Sequence, residues 1–129
     1  MRARLSAVLL VAIALLHAAA AGAHHSVPGQ FDTSKPTTLT GTISKIDWFN
    51  PHIYVYLDVK GESGTTTWRL GSAPPAMMRR AGLTKAAISG GPGEVVSIIV
   101  YPARDGTMHL GWITKITYAD GHFYLLDGR

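Results

Sequence analysis

With 129 residues and no cysteine, the chain has room for one domain and no disulfide to staple it. Its formal charge is +4, but setting aside Arg2 and Arg4 leaves ten Lys+Arg against 8 Asp+Glu, a charge of only +2. That balance excludes a basic stripe for nucleic acid. The lack of cysteine excludes a thiol nucleophile and a thiolate metal site, and without a lipobox no lipid anchor is expected after export.

The chain opens on a targeting pattern. Arg2 and Arg4 form a basic start, Leu5 to Leu16 is mostly apolar, and Ala21-Gly22-Ala23 is an A-x-A-like cleavage site. The apolar run is too short to span a bilayer. Residues 1–23 are therefore expected to be a Sec-type signal peptide cleaved after Ala23. The product would be a periplasmic or secreted protein with no stable membrane anchor. Cleavage after Ala21 is the alternative, and leaves Gly22-Ala23-His24 as the terminus.

Residues 24–36 contain two prolines, a glycine and no periodicity. They predict an extended arm that Val27 and Phe31 can pin to the body. Thr37 to Trp48 predicts a long first strand. Leu39, Gly41 and Ile43 share one parity and Ile46 and Trp48 the other, so a β-bulge is expected near Ser44-Lys45. Gly41 on the inward parity allows tight curvature or a close backbone approach. Asn50-Pro51 is a turn signal. Ile53 to Val59 alternates cleanly, with Ile53, Val55, Leu57 and Val59 on one face and Tyr54, Tyr56 and Asp58 on the other. Gly61 to Gly64 is a hairpin loop, and Thr65 to Leu70 is a third strand with Trp68 on the Leu70 face.

The pattern then changes period. Ser72 is placed to cap, Pro74-Pro75 suit a first helical turn, and Arg79-Arg80 suit the end of a helix running to Ala81. Thr84 to Ile88 is expected to add a turn. After the break at Gly90-Gly91-Pro92-Gly93, Glu94 to Tyr101 and Met108 to Tyr118 read as further strands. The apolar parity of the latter shifts between Trp112 and Ile113. Asp120-Gly121 predicts a two-residue hairpin turn, and Phe123 to Leu126 a short closing strand. Three strands, a short helix and two or three more strands is the order of an OB-like barrel. The expected fold is mainly β: a small OB-like β-barrel of five to six strands over 37–129, with one short helix between strands three and four. It is preceded by the arm over 24–36 and a signal-peptide helix over 1–23.

The chemistry-bearing residues are histidines. Cleavage after Ala23 places a free amine and an imidazole on His24, with His25 beside it, and such nitrogen donors suit Cu(II). A body histidine completes a three-nitrogen set. His52 is the first choice and His109 the second. After the alternative cleavage, His24 at position three is a square-planar Cu(II) or Ni(II) chelator. The competing reading makes His24 and His25 a solvated arm and His52 a packed turn residue. Met77 and Met78 point about 100° apart on a helix, so core packing of one is expected. Tyr54 and Tyr56, with Trp48 at the adjoining corner and Trp68 on strand three, are the candidates for an aromatic surface that takes a protein or glycan partner. Against this, Trp68 is expected in the core and the tyrosines are expected to pair across strands. There is no Ser/His/Asp elbow, phosphate loop or paired-carboxylate spacing, so no enzyme is expected and copper is the only cofactor considered. The protein is expected to be a monomer.

Several motifs carry a resemblance across nearly the whole of 24–129: His24-His25-Ser26, Phe31-Asp32, Leu39-Thr40-Gly41-Thr42-Ile43 and Trp48-Phe49-Asn50-Pro51-His52. Further along stand Gly71-Ser72-Ala73-Pro74, Gly93-Glu94-Val95-Val96 and Pro102-Ala103-Arg104-Asp105-Gly106. In these the chain resembles a family of small exported bacterial proteins known only as a domain of unknown function. It departs from that pattern at the added Ala73 and at His122-Phe123-Tyr124. The resemblance implies export and a compact β fold, and implies no activity.

Overall fold

A computed structural model describes residues 26–126; the expected signal peptide and His24-His25 lie outside them. The elements in chain order are α1 (Val27–Gln30), β1 (Thr37–Asp47), β2 (Tyr54–Gly61), β3 (Gly64–Gly71), α2 (Pro75–Arg80), α3 (Lys85–Ser89), β4 (Val95–Pro102), β5 (Leu110–Thr117) and β6 (Phe123–Leu125).

The long first strand serves two neighbours. Thr37 to Thr42 pair antiparallel with β4, and Thr42 to Asp47 pair antiparallel with β2. The handover needs a bend, and the register shifts between Ile43 and Lys45 where the parity change predicts a bulge. Gly41 permits that bend, because a Cβ there would lie 2.2 Å from the Asp58 carbonyl oxygen. β2 and β3 form a hairpin. A short parallel pairing of β3 with β5, from Arg69↔Leu110 to Gly71↔Trp112, closes the ring. The barrel runs β1-β2-β3-β5-β4, and β6 adds to β5 outside the closed set. This is the expected OB-like barrel.

Alternate positions of each strand fill it. Leu39, Ile46, Val55, Leu57, Leu70, Val96, Ile98, Val100, Ile113 and Ile116 are buried in one cluster. Full burial of such a side chain stabilises by about 1.5–3 kcal/mol. The parity shift in β5 is a second bulge: Ile99 pairs with Lys115 and Val100 with Ile113, which leaves Thr114 unopposed. Its hydroxyl donates to the Ile99 carbonyl at 3.1 Å. Met78, Leu83 and Ile88 from the helical segment join the core, and the Tyr118 hydroxyl donates to the Ile88 carbonyl at 2.7 Å.

The structure corrects four local expectations. The arm is not wholly extended, since Val27–Gln30 form one helical turn with proline in its first turn. The single helix is two. Gly82 at φ 76° ends α2 with the Leu83 amide donating to Met78 and the Gly82 amide to Arg79, a Schellman end. The Thr84 hydroxyl then accepts from the Ala87 amide at 3.1 Å and starts α3. Ser72 does not cap. Pro74 holds the N-cap position of α2, and the fully buried Ser72 hydroxyl donates to the Leu126 carbonyl at 2.9 Å. The last hairpin has a three-residue loop rather than two: the Gly121 amide donates to the Tyr118 carbonyl, the Tyr118 amide to the His122 carbonyl, and Gly121 takes φ 91°.

Candidate functional site

Outward positions of three neighbouring strands build the site. Tyr54 on β2 pairs with Gly71 on β3, and Gly71 pairs with Trp112 on β5. The missing side chain at Gly71 lets the two aromatics converge: a Cβ there would lie 3.2 Å from the Trp112 ring and 3.6 Å from the Tyr54 ring. Trp112 is on the outer parity yet only 7% exposed, because neighbours cover it from two sides. His52, at the end of the Asn50-Pro51 corner, meets the indole edge-on with centroids 5.4 Å apart. Phe31 of the arm meets it at 5.7 Å. Val27 and Gln30 of α1, Phe31, His52, Tyr54, Arg69, Gly71, Leu110 and Trp112 enclose a small cavity of about 100 Å³.

The arm is clasped rather than loosely draped. Phe31 bridges to Ala103, the Asp32 amide donates to the Pro102 carbonyl at 2.9 Å, and the Arg104 amide donates to the Gln30 carbonyl at 2.8 Å. The Arg104 guanidinium donates to the Pro28 carbonyl at 3.2 Å and the Phe31 carbonyl at 3.5 Å. The charge thus sits against the carbonyls at the end of α1, which have no partner within so short a helix.

Two polar features define the cavity. The Nδ1 of His52 is buried and has no hydrogen-bond partner among the described residues, an unsatisfied state that native interiors rarely leave without a reason. The Arg69 guanidinium lies over the Tyr54 ring at 4.4 Å. Its positive charge is directed at a π face, a favourable contact.

The other predicted site residues are dispersed. His109 does not line this cavity; it is exposed and meets Trp68 edge-on at 5.3 Å. It also has φ 56°, a conformation that costs an L residue roughly 1–2 kcal/mol. Tyr56 stands one position beyond the cavity on the same face of β2, beneath Lys45 at 4.9 Å, with its hydroxyl donating to Asp47 at 3.1 Å. Trp48 and Trp68 pack against the core. Of the two methionines, Met78 is buried and Met77 exposed. Among the described residues no three His, Asp or Glu converge on a point.

Sequence reading missed Trp112, Arg69, Gly71 and Arg104. The Trp112 signal was present in the parity shift: with Thr114 bulged, Ile113 turns inward and Trp112 outward. A wider groove of about 570 Å³ runs between the β1 bulge and Gly90–Gly93. Several of its polar groups are engaged within the protein: Lys45 pairs with Asp47 at 2.8 Å, the Ser89 hydroxyl donates to the Lys85 carbonyl, and the Gly91 amide donates to Glu94.

Fold and site together define a small closed β-barrel that carries a clasped arm over an aromatic pocket. Residues 12–112 match a family of unknown function, DUF6152, and the chain belongs to that family. The match ends at Trp112, before the bulge of β5 and the closing strand. Comparison with curated proteins and with solved structures finds no match.

Proposed function

We propose that the protein is a monomeric exported metal-binding barrel, in which the N-terminal histidines and His52 share one Cu(II) ion in the periplasm. The observation that carries this reading is the buried Nδ1 of His52, which has no hydrogen-bond partner among the described residues, on a residue that lines the same cavity as Val27. His25 stands two residues before Val27, and a chain spans at most about 3.6 Å per residue. The terminal amine, the imidazoles of His24 or His25 and that of His52 are therefore within reach of one ion. An all-nitrogen set favours Cu(II) over the other common divalent ions. Coordination would also give the orphaned ring nitrogen a partner.

The test is a Cu(II) titration of protein secreted by a bacterial host, with the terminus fixed by intact mass. One equivalent with sub-micromolar affinity is expected, and His24→Ala and His52→Ala should each weaken it by tenfold or more. Binding unchanged by both substitutions overturns the ligand set, and no binding overturns the reading. Arg69 supplies a check on sign. Its guanidinium lines the same cavity and repels a cation, so Arg69→Gln is expected to tighten Cu(II) binding.

A second reading, a protein- or glycan-binding module, draws support from the Tyr54–Gly71–Trp112 row. A flat aromatic strip across three strands can stack a sugar face or an aromatic side chain once the arm lifts. Retention on immobilised glycans or peptides, abolished by Tyr54→Ala with the fold intact, would favour it over the metal site.

A further inference from the structure

β3 brings Arg69 to the cavity that His52, Tyr54 and Trp112 also line. The arginine is exposed, and its guanidinium lies over the face of the Tyr54 ring at 4.4 Å. That contact engages the charge and leaves the planar fork of N–H donors without a partner among the described residues. Ion pairs among those residues join Lys35 to Asp32, Lys45 to Asp47 and His122 to Asp120, and none reaches Arg69. A carboxylate is nevertheless near. Arg69 pairs with Tyr56 across β2 and β3, and Asp58 is the next outward residue of β2, a diagonal neighbour within reach of a long side chain. Asp58 instead accepts from the Thr67 hydroxyl at 2.6 Å, and the guanidinium turns the other way along β2, to Tyr54. It therefore stands beside a cavity whose described lining includes Val27, Phe31, Leu110 and Trp112 and no Asp or Glu. The cavity holds about 100 Å³. An apolar cavity of about 150 Å³ takes benzene, so this one has room for about four or five non-hydrogen atoms.

We propose that this cavity receives a small free monocarboxylate, of the size of acetate or propionate. Its two oxygens accept from the Arg69 fork, and its alkyl tail lies among Phe31, Leu110 and Trp112. A guanidinium presents its donors at the spacing of a carboxylate and pairs with it bidentately, which a lysine in its place would not do. Apolar and aromatic walls with a charged group placed to fix orientation are the usual make-up of a small-ligand pocket. The room available excludes the end of a peptide, since even a terminal alanine with its amide has more atoms than the cavity takes. Binding of this kind is made by Arg69 and needs no metal, so it goes beyond the Cu(II) reading.

Propionate is the probe. The secreted protein, isotope-labelled, freed of metal and exchanged into carboxylate-free buffer, is titrated with sodium propionate at constant ionic strength and followed by NMR. The Trp112 indole N–H and the Gly71 amide should shift and saturate, with the millimolar affinity that so few atoms supply. Propionamide has the same shape and no charge, and should bind tenfold or more weaker. Arg69→Gln should weaken propionate by a similar factor, and the exposure of Arg69 leaves the fold intact. Propionamide binding as well as propionate would mark a cavity indifferent to charge and overturn the proposal without recourse to any variant. Affinity unchanged by Arg69→Gln, or no saturable shift at all, would overturn it too. Hexanoate exceeds the cavity and should bind more weakly than propionate; tighter binding would put the ligand on the open aromatic strip and sink the assignment. Because no metal is present, failure here leaves the Cu(II) reading standing, and a failed Cu(II) titration leaves this site standing.

Discussion

A methyl group on Gly41 would sit 2.2 Å from the Asp58 carbonyl oxygen, and backbone cannot give way there without moving β2. Gly41→Ala is expected to destabilise by about 1–3 kcal/mol, read as a lower urea midpoint; an unchanged midpoint would show that β1 is seated differently. Tyr118 governs the alkaline limb. Burial raises its phenol above the ordinary value of 10.0, so the unfolded chain loses the proton first. Its contribution is complete below that value and is lost as pH rises past it. Tyr118→Phe should flatten the fall in melting temperature above pH 10, and at neutral pH cost about 1 kcal/mol for the lost bonds to Ile88 and Ala87. Single residues differ in how far the sequence reveals them. Gly41 was legible because a glycine on an inward parity has few other uses. The orphaned nitrogen of His52 was not, since it depends on Trp112 and Phe31 arriving from distant parts of the chain.

At the scale of elements, strand order followed from alternation, and both bulges announced themselves as parity changes in β1 and β5. The arm did not. Its docking rests on Arg104, whose exposed position in a Pro-x-Arg-Asp-Gly turn carries no local hint that its partners are Pro28 and Phe31. Arg104→Ala should leave the barrel intact while the amides of residues 27–32 exchange roughly tenfold faster, equivalent to about 1.4 kcal/mol. Equal exchange in the two proteins would mean that Phe31 and the backbone bonds of the arm to Pro102 and residue 104 suffice to hold it. The helical segment shows the opposite limit of legibility. Its residues were read as helical, but Gly82 turned one expected helix into two because a left-handed residue ends the first.

For the molecule as a whole, closure depends on pairings between distant segments. Ser72, after β3, holds Leu126, after β6. Ser72→Ala leaves that carbonyl with only the longer bond from the Ala73 amide, at 3.5 Å, at a cost of about 1–2 kcal/mol. For a domain of this size that is a fall of some 4–8 °C in melting temperature for each kcal/mol. A melting temperature unchanged by the substitution would mean that water or another donor replaces the hydroxyl. The consequence reaches to how the chain folds. β1 gives one half to β2, its neighbour in sequence, and the other to β4, across the helical segment. The first half of the chain can therefore form its three-stranded meander early, while its exposed edge waits for residues beyond 94. High contact order of this kind places folding in the millisecond-to-second range rather than the microsecond range, and makes the arrival of β4 and β5 the event that commits the barrel.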